Sequence, residues 1–234
     1  MPAKTFQIRL CPSCGLRYPL LEGHPFGERC PACLSNTVSV LEQSLDQETA
    51  LAERAFFSDV NLHVMLDNVR SAWNVGSILR TADGFAFGHA YLCGITPTPE
   101  NADVSKTALG AQEFVPWSYH PNAVELVKNL KEQGNMIWAL EQVKGSRPVE
   151  AALDALHNEK TRNAVLVVGN EVTGVDPDIL ECADFVVHLP MRGQKRSFNA
   201  AVAFAVAAYI MHTANSKRPA RLFRNRASVH VKGT

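Results

Sequence analysis

The sequence predicts an α/β fold built on a parallel sheet and preceded by a small metal-binding ribbon. From residue 62 onward, short apolar segments alternate with helical ones, as is typical of parallel strands joined by crossover helices. Two apolar, β-branched segments, residues 165–168 and 185–189, end at Gly169 and Pro190, as expected of strands buried on both faces. Two CxxC pairs near the N-terminus predict the ribbon.

Changes in composition divide the chain into four parts. We predict a zinc ribbon over residues 1–45, a linker over 46–58, an α/β domain over 59–214 and a basic tail over 215–234. Between residues 36 and 54 a short strand-like run gives way to a polar segment rich in Gln and Glu, and the tail carries Lys and Arg with no acidic residue. Such a tail either contacts phosphate or only keeps the chain in solution, and the sequence does not choose between these roles.

The α/β domain is predicted element by element. Strands are expected at residues 62–66, 89–93, 114–117, 136–140, 165–168 and 185–189, and helices at 74–87, 104–109, 123–131, 149–156 and 198–213. The last helix is apolar on nearly all sides, so we expect it to be buried on more than one face. Parallel strands end at one edge of their sheet, and open α/β sheets bind ligands at that edge.

Composition restricts the classes of function. The chain has 23 basic and 23 acidic residues, so its formal net charge is zero and any basic binding face must be local. The N-terminus lacks the apolar segment of a secretory signal, and no uncharged run is apolar enough for a membrane helix. We therefore expect a soluble, cytoplasmic protein without membrane contact.

Four cysteines predict a structural zinc site. Cys11 and Cys14 form one CxxC pair, Cys30 and Cys33 form the other, and fifteen residues separate the pairs. Four thiolates at this spacing can surround Zn²⁺ tetrahedrally, and a zinc ion with four protein ligands is structural, not catalytic. The alternatives are two disulfides, which a reducing compartment disfavours, or unrelated buried thiols.

The segment from residue 66 to residue 88 contains two candidate site residues. It reads LDNVRSAWNVGSILRTADGFAFG. Asn74 stands at the predicted start of a helix, where asparagine is a good N-cap. Arg80 lies in an otherwise apolar turn, which favours an anionic partner for its guanidinium, although an arginine reaching to the surface is the simpler alternative.

Three motifs together resemble the SpoU (TrmH) branch of the SPOUT RNA methyltransferases. They are NVGSILRTADGFAFG, VVGNEVTGVD and LPMRGQKRSFNAAVAFAVAAY, and the resemblance extends over residues 62–209. It implies a SPOUT fold with a C-terminal trefoil knot, which is an exception to the usual unknotted topology of proteins. It also implies that S-adenosylmethionine is the methyl donor and a ribose 2′-hydroxyl of tRNA or rRNA the acceptor.

The resemblance assigns individual residues. The family's functional residues correspond to Asn74, Arg80, Glu171, Ser197 and Asn199. Its cofactor site corresponds to Leu140, Gly169, Asn170, Leu189, Met191, Ser197 and Phe198, and phenylalanine at the last position replaces the usual leucine. Glycines at 169 and 193 would allow close approach of the backbone to the cofactor. Members of the family form dimers through the C-terminal helix, so a homodimer is expected, and a monomer that buries this helix wholly in its own core is the alternative.

The resemblance proposes Arg80 as activator of the ribose hydroxyl, but a guanidinium is a poor base. We therefore expect Arg80 to hold the RNA phosphate and to stabilise the developing alkoxide. The proton would pass to that phosphate or to water, and less readily to Glu171. Local alternatives are a helix cap for Asn74, turn closure for Ser197 and Asn199, and a cap for Glu171.

Two other classes of function are weighed. A catalytically silent RNA-binding protein of the same fold is disfavoured because all five matched functional residues are present. A dinucleotide-dependent oxidoreductase is disfavoured because no GxGxxG follows the first strand. The ribbon is not a general part of the resembled family; Arg17 and Arg29 would let it contact phosphate, and a purely structural cap is equally consistent.

Overall fold

A computed structural model of the protein describes residues 5–24, 27–44, 60–157 and 163–215. The chain divides into two compact units, Met1–Ala55 and Phe56–Thr234. The linker predicted at 46–58, and the tail predicted at 215–234 apart from the backbone of its first residue, lie outside the described residues.

The described part of the first unit is a three-stranded antiparallel ribbon. Strands β1 (Thr5–Leu10), β2 (Arg17–Leu21) and β3 (Val38–Ser44) lie in the order β2-β1-β3. Arg9 is buried, and its guanidinium donates to the hydroxyl and the carbonyl oxygen of Thr37, each at 2.7 Å. Among the described residues of this unit, the buried apolar side chains are those of Cys11 and Cys30. The ribbon therefore has almost no hydrophobic core of its own.

The described part of the second unit is built on a seven-stranded parallel sheet. Its strands are β4 (Asn61–Asp67), β5 (His89–Cys93), β6 (Trp117–His120), β7 (Met136–Leu140), β8 (Arg147–Pro148), β9 (Asn163–Val168) and β10 (Phe185–His188). Their order is β6-β5-β4-β9-β7-β10-β8, and every neighbouring pair is parallel. The chain runs outward from β4 to β6 and then resumes beyond β9, so its direction of winding changes beside β4. Ligands of open α/β sheets bind at such a position.

Helices cover both faces of the sheet. They are α1 (Ala72–Gly84), α2 (Ala102–Ala108), α3 (Ala123–Glu132), α4 (Pro177–Cys182) and α5 (Ala200–Asn215), with 3-10 segments at Ala111–Glu113 and Val149–His157. Val64 and Leu66 of β4 belong to one core cluster with α1, α2 and α5, and Met65 belongs to another with α3 and α4. Alternate residues of a strand point to opposite faces, so the two clusters are the two layers. The predicted parallel α/β fold is confirmed, and the trefoil knot stays a prediction.

The helix that carries Asn74 begins earlier than predicted. Its N-cap is Ser71, whose side chain accepts a hydrogen bond from the Asn74 backbone N–H at 3.3 Å. The prediction that Asn74 caps this helix is therefore wrong. Asn74 lies within the first turn and is 9% exposed. Because Ser71 caps the helix, the side-chain amide of Asn74 is available for other contacts.

Three other elements differ from prediction. The strand expected at 114–117 lies at Trp117–His120 instead, because Phe114 ends a 3-10 turn and is 75% exposed. The segment expected to be helical at 149–156 is a 3-10 helix. Helix α4 was not predicted, since its six residues are too few to show a helical period.

Helix α5 leaves one apolar face uncovered by the described residues. Phe204, Ala207, Ala208 and Met211 are fully buried in the core. Val202, Val206 and Tyr209 are 49%, 41% and 56% exposed, and their spacing places them on one side of the helix. We call these three residues the α5 stripe. No helix in the described part of the chain is long and apolar enough to cross a membrane.

Candidate functional site

A pocket of about 460 Å³ lies at the carboxyl edge of the parallel sheet. The loops after β7, β9 and β10 and the first turn of α5 form its walls. All the residues that the resemblance assigns to the cofactor line it, namely Leu140, Gly169, Asn170, Leu189, Met191, Ser197 and Phe198. The fold therefore brings these distant segments together, and their contact with a cofactor stays a prediction.

Glycine at position 169 is required by the backbone of the loop itself. A Cβ there would lie 2.2 Å from the Val175 nitrogen and 2.3 Å from the carbonyl carbon of Gly174. Asn170 and Gly174 exchange two backbone hydrogen bonds of 3.0 and 2.9 Å, which fold the loop tightly. At Gly193 a Cβ would meet nothing within 4 Å, so the protein alone gives no steric reason for that glycine.

Glu141 is a pocket residue that sequence reasoning missed. Its carboxylate accepts hydrogen bonds from the backbone N–H of Val175 at 3.1 Å and of Gln142 at 2.9 Å. It thereby fastens the loop after β7 to the loop after β9. Its position as the first charged residue after an apolar strand is the signal that could have identified it.

Asn74, Glu171 and Asn199 form a hydrogen-bonded network beside the pocket. The Asn74 side-chain amide donates to Glu171 Oε1 at 2.8 Å, and the Asn199 amide donates to Asn74 Oδ1 at 3.0 Å. The Glu171 carboxylate also accepts from the backbone N–H groups of Arg70 at 2.9 Å and Ser71 at 3.0 Å. The network joins the start of α1, the loop after β9 and the start of α5.

The surroundings of Glu171 favour its ionised form. Burial raises the pKa of this carboxyl. The N–H donors from Arg70, Ser71 and Asn74 together lower it by more than burial raises it, so the net pKa lies below its ordinary value. A carboxylate that already accepts these hydrogen bonds has little capacity left for a proton. The arrangement suits a group that positions Asn74.

Asn199 has a local role as well as a role in the network. Its Oδ1 accepts hydrogen bonds from the backbone N–H groups of Ala201 at 3.0 Å and Val202 at 3.3 Å, so it caps α5. Its amide nitrogen is left to reach Asn74. Asn199 therefore closes the turn at the start of α5, which was the local alternative for this residue, and it also contacts Asn74.

The other two predicted functional residues are differently placed. Ser197 lines the pocket and has an exposed side chain. Arg80 lies on the exposed surface of α1 and forms no hydrogen bond or ion pair with the part of the chain that the structure describes. The simpler alternative for Arg80, a surface position, is what the structure shows.

Residues at the end of β4 fasten the loop that carries Glu171. The Asp67 carboxylate accepts from the backbone N–H of Asp176 at 2.8 Å, and the Asn170 side chain donates to the carbonyl oxygen of Asn68 at 2.7 Å. Asp67 is 1% exposed, and burial raises the pKa of its carboxyl while the hydrogen bonds oppose that shift. The loops after β4 and β9 therefore form one hydrogen-bonded assembly.

The four cysteines of the ribbon form a compact set of sulfur donors. Their Sγ atoms all lie within 4.8 Å of one another, with Cys11 and Cys33 at 3.4 Å and Cys14 and Cys30 at 3.6 Å. Sulfurs bound tetrahedrally at about 2.3 Å from zinc lie roughly 3.8 Å apart, so the set fits this metal. All six cysteines of the chain are in the described residues, and none is in a disulfide.

The fold and the pocket define the class of protein. It is a parallel α/β protein with a pocket for a small molecule at the carboxyl edge of its sheet, bordered by an amide–carboxylate network. A sequence model of the SpoU rRNA Methylase family matches residues 61–209. The chain belongs to this family, so the family predicted from the three motifs is confirmed.

Similar proteins match about two thirds of the chain. The tRNA (guanosine(18)-2'-O)-methyltransferase of Thermus thermophilus is 31% identical over 146 residues, 62% of this chain and 71% of that protein. The 23S rRNA (guanosine-2'-O-)-methyltransferase RlmB of Neisseria meningitidis serogroup B is 33% identical over 146 residues, 62% of this chain and 55% of that one. The solved structure of the TrmH/SpoU tRNA modifying enzyme of A. aeolicus matches with a TM-score of 0.58 and 28% identity, covering 67% of this chain and 77% of that one. The cysteine ribbon precedes the matched region.

Proposed function

We propose that this chain is an S-adenosylmethionine-dependent RNA methyltransferase that modifies a ribose 2′-hydroxyl in the cytoplasm. The observation that carries the proposal is the Asn74–Glu171–Asn199 network at the rim of the pocket, in a chain of the SpoU family. The relatives named above act on a tRNA and on a 23S rRNA, which supports RNA as the substrate class.

The pocket fits the proposed cofactor. Its volume of about 460 Å³ is in the range of small-molecule sites. Leu140, Leu189 and Met191 would supply apolar contacts and main-chain groups, and Gly169 would keep one wall free of side chains. When bound, S-adenosylmethionine supplies an electrophilic methyl group on a sulfonium.

The chain's own residues would act on the ribose. In the proposed transfer, the ribose hydroxyl would lose its proton as its oxygen takes the methyl group that S-adenosylmethionine would supply, leaving a neutral thioether. Arg80 would hold an RNA phosphate and stabilise the negative charge that develops on the oxygen. Because Glu171 is occupied by N–H donors, the proton would pass to phosphate or water.

The reaction is tested with labelled S-adenosylmethionine and separate pools of unmodified tRNA and rRNA. Digestion of the product to nucleosides should place the label in a 2′-O-methylnucleoside, which also identifies the RNA and the base. Cofactor binding without transfer to either pool would contradict the proposal and favour the silent RNA-binding protein.

The role of Arg80 is tested by Arg80→Ala. We expect transfer to be lost while S-adenosylmethionine affinity stays near that of the unmodified protein, because Arg80 does not line the pocket. Lys128→Ala is the matched control, since Lys128 is an exposed cation on α3, on the opposite face of the sheet. Equal loss of transfer and cofactor affinity would make Arg80 a structural residue.

We also propose that the protein is a homodimer that buries the α5 stripe. Three exposed apolar side chains on one face of a helix are typical of an interface between copies. Val206→Asp should yield a monomer in analytical ultracentrifugation without lowering helix content by circular dichroism. A dimer that persists in this variant would place the interface elsewhere.

A further inference from the structure

Trp73 is exposed on the first turn of α1, immediately before Asn74. Its side chain is 59% exposed, although tryptophan is usually highly buried because of its large apolar area. The described residues cover less than half of it. An exposed indole beside the predicted reaction site is therefore a candidate contact for a ligand.

Cations lie around this indole. The Lys106 Nζ is 6.0 Å from the centroid of the Trp73 ring, at the outer limit of a cation–π contact. Arg80 follows Trp73 by seven residues and so lies on the same side of α1, about 10 Å along the helix axis. Arg70, in the loop just before α1, is also exposed.

Acidic residues are also present, but they do not neutralise these cations by direct pairing. Asp103 and Asp83 are exposed and lie three residues from Lys106 and Arg80, respectively. Neither forms an ion pair within the described part of the chain. The patch made of Trp73, Lys106 and Arg80 thus combines a flat aromatic ring with unpaired positive charge.

The patch adjoins the polar network of the site along α1. Trp73 precedes Asn74, whose amide contacts both Glu171 and Asn199. Successive residues of a helix point about 100° apart, so a ribose at that network would leave the indole to the base of a neighbouring nucleotide. The rim of the pocket and the aromatic ring are therefore arranged for adjacent parts of one nucleotide chain.

We propose that Trp73 stacks on an unpaired base of the RNA substrate beside the target ribose, with Lys106 contacting a flanking phosphate. This inference rests on the proposed function. Stacking on an aromatic ring tolerates any base, because every base has a π face. Trp73 would therefore increase RNA affinity without choosing the nucleotide, and recognition of base identity would lie elsewhere.

The chemistry of the patch favours RNA over a second copy of the chain. The α5 stripe is apolar and already supplies a face for self-association. The Trp73 patch carries cations, and an isologous contact through it would bring like charges together. The chain's net charge is zero, so attraction to a polyanion must come from local groups such as these.

Fluorescence tests binding without requiring methyl transfer. The chain has three tryptophans, Trp73, Trp117 and Trp138, and the last is fully buried. Titration with unmodified tRNA transcripts and unmodified rRNA should quench the emission, and Trp73→Phe should remove most of that quenching. Trp117→Phe is the matched control and should retain it. Quenching that survives in Trp73→Phe would overturn the proposal.

Kinetics test the energetic contribution of the ring. Trp73→Ala should raise the KM for RNA by about 5- to 150-fold, as expected for loss of one aromatic–base stack, while S-adenosylmethionine affinity is unchanged. Trp73→Phe should keep most of the affinity, since phenylalanine also stacks. Tyr119→Ala, a loss of a 50% exposed aromatic ring on β6, should leave the KM unaltered. Lys106→Ala should lower the salt slope of binding by about 0.7.

The outcomes separate this proposal from the proposed function. Methyl transfer by Trp73→Ala with an unaltered KM for RNA would overturn the stacking role and leave the methyltransferase standing. A change of oligomeric state in Trp73→Ala, measured by analytical ultracentrifugation, would assign Trp73 to a contact between copies instead. If the unmodified protein transfers no methyl group, the proposed function fails, and the fluorescence titration still decides whether the indole meets RNA.

Discussion

At the scale of single residues, Glu171 is the acceptor that joins the loop after β9 to the start of α1. It accepts hydrogen bonds from two backbone N–H groups and from the Asn74 amide. Glu171→Gln removes the charge and turns an N–H₂ group toward donors. We expect transfer to fall roughly 30-fold, about 2 kcal/mol for the lost charge-assisted hydrogen bonds, with Glu125→Gln on α3 as an unaffected control.

The pH profile distinguishes positioning by Glu171 from proton uptake. Its folded-state pKa is below the ordinary 4.5, so the carboxylate's contribution is complete above that pH and is lost as the pH falls through the lowered value. The transfer rate should therefore show no acidic limb from this group near neutrality. A limb above about pH 6 that disappears in Glu171→Gln would make Glu171 the base.

His63 makes stability sensitive to acid. Burial lowers its pKa below 6.5, opposed by a hydrogen bond with Asn163, and its Nδ1 is buried without a partner in the described residues. Burial, followed by the charges of His63 and His120, also lowers the pKa of His89. Because protonation favours the unfolded chain, stability is complete above pH 6.5 and is lost as the pH falls from there toward the lowered values. His63→Gln should reduce the fall in melting temperature between about pH 7.5 and about pH 5.5, and parallel curves would contradict this assignment.

At the scale of elements, the loop after β9 depends on a glycine that nothing larger can replace. In Gly169→Ala the new methyl group would meet the backbone of Gly174 and Val175 at 2.2–2.5 Å, so the loop must shift. We expect a loss of about 1–3 kcal/mol in unfolding free energy and loss of S-adenosylmethionine binding by calorimetry. Gly84→Ala, at the end of α1, is the matched control, since its methyl group meets nothing within 4 Å. Equal behaviour of the two variants would show that sterics in the loop are not the cause.

The elements were predictable where a period or a motif was long enough. Strands β5 and β7 lie at the predicted residues, because apolar runs bounded by polar residues mark strands of a parallel sheet. The contact between Asn74 and Asn199 could not be predicted, because it joins side chains 125 positions apart and depends on the packing of α1 beside α5. Glu141 was missed although it directly follows an apolar strand, because its partners are backbone groups and their identity cannot be read from the sequence.

At the scale of the whole molecule, the two units differ in what stabilises them. The described ribbon buries almost no apolar side chain beyond two of its cysteines, whereas the second unit has two extensive core clusters. Binding of a structural zinc contributes about 10–16 kcal/mol to the folding of small domains. Chelation, or Cys30→Ser, should therefore unfold residues 5–44 and leave the melting of the second unit unaltered. Hydrogen exchange measured by mass spectrometry checks this, and ribbon amides that stay protected without metal would contradict it.

The central position of β9 affects how the protein can be made. β9 pairs with β4 on one side and β7 on the other, and the Asn61–Asn163 hydrogen bond spans 102 positions of the chain. At about 5–20 residues per second, the ribosome would complete β9 roughly 5–20 s after β4. During that time a nascent chain exposes an unpaired apolar strand edge, which attracts chaperones and other nascent chains. Translation speed over this interval should therefore influence the yield of native protein.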